Sequence, residues 1–88
     1  MNINIQDLKK KIIYRASYRG TKEMDTLLVS FTNKYIDILS DEDLICLAKL
    51  IDIDDENLYN YNQGQKTTVK INENKVTKLF RYFVYKKI

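Results

Sequence analysis

Proline is absent from the 88 residues, and glycine occurs only twice, at Gly20 and Gly64. Folds built from many short strands need glycine and proline at their turns, whereas a chain poor in both and rich in Leu, Ile and Lys favours helices joined by short connections. At this length one modest core is all that the chain can bury. The expected fold is all-α, a compact bundle of about five helices forming one domain over residues 1–88.

Capping signals divide the chain at the boundaries that the apolar spacing suggests. Asn4 can cap a first helix, with Asp7 at its positive end, and Ile5, Leu8, Ile12 and Ala16 then share one stripe. This helix is expected to end near Arg19, closed by Gly20 in the left-handed conformation. Thr21 can cap the next, with Glu23 in its first turn and Met24, Leu27, Leu28 and Phe31 facing inward. The stretch "NKYIDIL" ends this helix or forms a separate turn, and Ser40 opens a third helix with Leu44, Leu47, Ala48 and Ile51 inside. A short helix capped by Asp52 or Asp54 turns Leu58 and Tyr61 inward and closes at Gly64. The last starts at Asn72 or Asn74 and carries Val76, Leu79, Phe80 and Phe83 on one face, while Lys66 to Lys70 is compatible with an extended segment.

The residue inventory excludes most site chemistry. No histidine is present, which removes the commonest general base and metal ligand together with Ser-His-Asp and Cys-His arrangements. Catalysis by this chain alone is not expected. Cys46 lies off the main stripe of its helix with no imidazole to activate it, and reads as a structural or incidental thiol; a single cysteine also forms no internal disulfide. Residues 52–63 begin like a calcium loop, but Asn57 stands where the turn needs glycine and Gln63 where a bidentate glutamate is required. No metal is expected. A glycine-rich phosphate loop is lacking, as are a signal-peptide pattern and any run of roughly 20 apolar residues. The chain is expected to be cytoplasmic, without membrane insertion.

Charge is mild in total, +3, but segregated. Lys9, Lys10, Lys11, Arg15, Arg19 and Lys22 cluster near the start, and Asp37 to Glu56 holds eight acids against one lysine. Such polarity suits a macromolecular partner or simply gives solvated helix faces. The basic helix could meet nucleic-acid phosphates, but the acidic segment beside it would repel the same backbone. A small helical nucleic-acid-binding or regulatory adaptor is the alternative reading, and no nucleic acid is the expected partner.

The segment "SYRGTKEMD", Ser17 to Asp25, poses the sharpest question, because a glycine follows an arginine there and precedes a glutamate by three residues. One reading is local: Arg19 at the negative end of one helix and Glu23 at the positive end of the next are each worth about 0.3–1 kcal/mol without any further role. On that footing, loss of either side chain would leave the fold nearly intact. A second reading comes from likeness. The segment resembles the Arg-Gly-x-x-Glu signature of the succinate dehydrogenase flavination factors, the SdhE family. The likeness extends from "LKKKIIYRASYRG" through "TKEMDTLLVSF" and "LSDEDL" to "LIDIDDENLYNY", covering Leu8 to Tyr61. Two departures stand out: "SYRG" is less basic than is common before the glycine, and Tyr61 stands where tryptophan is frequent.

The resemblance implies a small helical assembly factor that binds the flavoprotein subunit of succinate dehydrogenase or fumarate reductase and promotes covalent attachment of FAD to a histidine there; the free chain is expected to be a monomer. It implies no stably bound cofactor in this chain, which acts on the FAD of the partner. The residues implied to meet the partner are Arg19, Gly20 and Glu23, with Asp25, Tyr18 and Arg15 on the same side. The lack of histidine agrees, since the acceptor side chain must then belong to the partner.

Overall fold

The computed structural model describes residues 4–84, and the expected all-α bundle is what it contains. The five helices are α1 (Ile5–Ser17), α2 (Lys22–Tyr35), α3 (Asp41–Ile51), α4 (Asp55–Asn62) and α5 (Lys75–Arg81). Each begins at a side chain that accepts from a first-turn amide: Asn4, Thr21, Ser40, Asp54 and Asn74. The two open choices resolve to Asp54 and Asn74, and Asn74 forms a reciprocal capping box with Thr77. Gly64 closes α4 as expected, at φ 73°, with the Gln65 amide returning 2.7 Å to the Asn60 carbonyl.

α1 packs on α2 and α3, and α5 packs on α3 and α4. Between them lie Ile12, Ala16, Met24, Leu27, Leu28, Phe31, Leu44, Leu47, Ile51, Leu58, Val76 and Phe80, all buried. Ile5, Leu8, Ala48, Tyr61, Leu79 and Phe83 are only partly covered, and Ile36 and Leu50 are additional core residues. Phe31 is the aromatic centre, with the rings of Tyr35, Phe80 and Phe83 at 5.0, 5.1 and 5.3 Å. Among the described residues no helix is long and apolar enough to cross a membrane.

Residues 63–74 form no strand, so Lys66 to Lys70 is not part of a sheet. Buried Asn57 orders this connection instead. Its Nδ2 donates to Asp54 Oδ1 (2.7 Å) and Thr68 Oγ1 (3.0 Å), and its Oδ1 accepts from the Thr68 amide (2.7 Å). A second α4 asparagine, Asn62, donates to the carbonyls of Phe80 and Phe83 at 2.8 and 2.9 Å, holding the chain that leaves α5. Thus the segment that began like a calcium loop is a helix whose asparagines tie down its neighbours.

Among the described residues one buried side-chain polar atom is unsatisfied: Thr32 Oγ1 in α2. Because a stranded hydroxyl costs free energy and valine has nearly the same shape, Thr32→Val is expected to leave stability unchanged or raise it by up to about 1 kcal/mol. Urea denaturation checks this; a loss of more than about 1 kcal/mol would mean that the hydroxyl is bonded in solution.

Candidate functional site

The Arg-Gly junction between α1 and α2 is built from inside the molecule. α1 stops at Ser17, two residues earlier than the sequence suggests, and Tyr18 is its C-cap. Gly20 is not left-handed; among the described residues Gly64 is the glycine with positive φ. Its lack of a side chain serves a close approach instead. The Gly20 amide donates to Asp55 Oδ2 at 2.8 Å, and a Cβ on residue 20 would stand 3.1 Å from that same oxygen.

Arg19 fills the space beside it. Nε donates to Asp55 Oδ1 (2.7 Å), Nη1 to the Ile51 carbonyl (2.8 Å) and more weakly to that of Arg15 (3.4 Å), and Nη2 to the Ile53 carbonyl (2.9 Å). Its side chain is only 12% exposed. The guanidinium therefore neutralises chiefly the carbonyl end of α3, not that of its own helix, and the planar fork matches a carboxylate and two carbonyls at once. The expectation that losing Arg19 spares the fold is corrected by these contacts, since they join the α1–α2 and α3–α4 junctions.

The other candidate residues divide between internal and outward roles. Half-buried Asp25 accepts from the Arg19 amide and fixes the backbone of the turn. Arg15 is half-exposed and pairs with Asp52. Tyr18 is 71% exposed and lies against Tyr14, 65% exposed, with ring centroids 4.6 Å apart. Glu23 is exposed and, among the described residues, makes no ion pair or side-chain hydrogen bond. Part of the charge segregation is thus used internally, through Lys9–Asp37, Arg15–Asp52 and Arg19–Asp55.

Sequence reasoning missed Asp55 and Tyr14. Asp55 lies 35 residues from Gly20, beyond any local pattern. Tyr14 had a usable signal, being four residues before Tyr18 on the side of α1 opposite the Ile12 and Ala16 stripe.

Asp54, next to the Arg19 partner, has its carboxyl held below its ordinary value of 3.8 by hydrogen bonds from the Asn57 side chain and amide. A depressed folded pKa means that the folded state binds fewer protons. Its contribution is therefore present above the ordinary carboxylate range and lost as pH falls through the folded value. Asp54→Asn keeps a capping oxygen without the titration, so its denaturation midpoint should fall less steeply than the parent's below about pH 4. Equal acid slopes in the two proteins would remove Asp54 from the account.

Among the described residues no three His, Cys, Asp or Glu side chains gather in a way that could hold a metal ion. A family model described as "Flavinator of succinate dehydrogenase" matches residues 10–84. No curated protein and no solved structure matches the chain.

Proposed function

The chain belongs to the flavinator of succinate dehydrogenase family, and from that premise we propose that it binds the flavoprotein subunit of succinate dehydrogenase, or of fumarate reductase, and promotes covalent attachment of FAD to a histidine of that subunit. The observation that carries this reading is the division of labour at the Arg-Gly-x-x-Glu junction. Arg19, the Gly20 amide and Asp55 hold it from within, while Glu23 and the Tyr14–Tyr18 pair are exposed. An exposed aromatic pair at the end of α1 and, at the start of α2, a carboxylate without an ion-pair partner among the described residues suit a protein partner.

The chain supplies position rather than reacting groups. With no histidine in its sequence it offers no acceptor for the flavin, and bond formation is the chemistry of the flavin and of the partner's imidazole. Holding the partner so that the two meet in a reactive geometry lowers the barrier by restricting the motions that separate them. Glu23 accepts from a cation or backbone amide of the partner, and Tyr14 and Tyr18 bury their rings against it.

Glu23→Ala should lower the covalent flavin on the client subunit at least severalfold while melting close to the parent, because the helix-end contribution lost is only about 0.3–1 kcal/mol. Each variant is expressed in a strain lacking its own factor, and flavin fluorescence of the denatured client is compared with the melting temperature of the purified factor. Normal flavinylation by both Glu23→Ala and Tyr18→Ala would reject this surface as the contact.

A further inference from the structure

Two clefts open beside the junction and share Glu23, Met24 and Tyr59 as walls, so they adjoin and together make up a two-part groove. The part nearer Gly20 has a volume of about 400 Å³ and adds Asp55 and Glu56. The part beyond Tyr59 has a volume of about 440 Å³ and reaches Arg81 and Tyr82. We infer that this groove seats an extended segment of the client flavoprotein, placing a basic side chain against Glu23 and Glu56 and an acidic one against Arg81; the inference rests on the function proposed above.

The occupant follows from the charges and from the walls. Among the described residues Glu23 and Glu56 have no ion-pair partner, and Arg81 has only the face of Tyr61, 5.9 Å from its guanidinium carbon. Glu56 in one part, Arg81 in the other and Glu23 on the wall they share select a segment of opposite polarity and fix its direction. Met24 and Leu27 give an apolar floor, and the rings of Tyr59 and Tyr82, 49% and 77% exposed, stand at the sides. Asn62 holds the carbonyls of Phe80 and Phe83, so the far wall exists before anything binds. Large rings over an apolar floor with charges at the rim form the anatomy of a protein contact.

The test uses the full chain and the purified client subunit before it receives flavin. A photo-crosslinking p-benzoylphenylalanine is placed at residue 59, 82 or, outside the groove, 14, and the joined peptides are mapped by mass spectrometry. Positions 59 and 82 should both crosslink to one short client stretch that carries a basic and an acidic residue. Glu56→Lys and Arg81→Glu should each weaken client binding about tenfold, with smaller losses at high salt. Crosslinks from position 14 alone, while the parent flavinylates its client, overturn the groove and leave the proposed function standing. A parent that neither binds nor flavinylates the client overturns both. Quenching of free FAD fluorescence by the isolated chain, lost in Tyr59→Ala, would assign the groove to the flavin and also overturn the inference.

Discussion

Arg19→Ala is expected to lose about 2–4 kcal/mol of stability, far more than an exposed helix-end charge would give up. Removing one partner from a buried ion pair costs about 3–5 kcal/mol, and the lower range applies because the Asp55 side chain is 28% exposed. Two carbonyls, of Ile51 and Ile53, lose their donor at the same time. For a domain of this size each kcal/mol moves the melting temperature by roughly 4–8 °C, so thermal unfolding should fall by about 8–30 °C. Arg19→Lys keeps the charge but not the fork and should recover only part of the loss. A double-mutant cycle with Asp55→Ala should give a coupling of at least about 1 kcal/mol. A melting temperature within about 2 °C of the parent would show that the clasp contributes little in solution. Reduced flavinylation by Arg19→Ala consequently reports on a contact only at temperatures where the variant is folded.

Phe80→Ala should be as damaging for a different reason. Phe80 is fully buried, anchors α5 to the bundle and stands edge-on to Phe31 at 5.1 Å. Truncating such a ring removes its transfer free energy and leaves a cavity, together about 3–5 kcal/mol. A chain of 88 residues has a total stability of roughly 4–13 kcal/mol, so a large part of the reserve goes with one side chain. Leu28→Ala, also fully buried, should lose about 2–5 kcal/mol. Phe80→Leu, which keeps most of the volume, should stay folded with a smaller loss. Chemical denaturation of the purified variants decides the matter; a change within about 0.5 kcal/mol for Phe80→Ala would place the ring at the surface.

The helices were legible because their signals are local. Thr21, Ser40 and Gly64 act within four residues of themselves, and the stripe of Met24, Leu27, Leu28 and Phe31 repeats at the helical period. The Arg-Gly-x-x-Glu segment could likewise be found, but not explained. A glycine after a helix usually signals a left-handed closure, and only the fold reveals that the carboxylate of Asp55 requires the space at Gly20. Arg19 shows the same limit. Its sequence position suggests the end of α1, whereas its strongest carbonyl contacts are more than 30 residues away. Asn57 and Asn62 give no local signal of their roles, because their partners, Thr68 and the carbonyls of Phe80 and Phe83, come later in the chain.

The clasp does not stop at Asp55. Gly20 and Arg19 are bonded to Asp55, its neighbour Asp54 to Asn57, and Asn57 to Thr68, so a line of hydrogen bonds crosses from the α1–α2 turn to the connection behind α4. A partner meeting that turn encounters a backbone whose conformation was fixed during folding. Ordering a free side chain on association costs about 0.5–1.5 kcal/mol, and loops that must set add to it. At this junction those entropy losses are already included in the folding equilibrium. If the contact is the one proposed above, what remains to be ordered is the ring pair Tyr14 and Tyr18, the Glu23 side chain and the partner itself, and the affinity of such a complex would then depend chiefly on how much of the client has to come to rest.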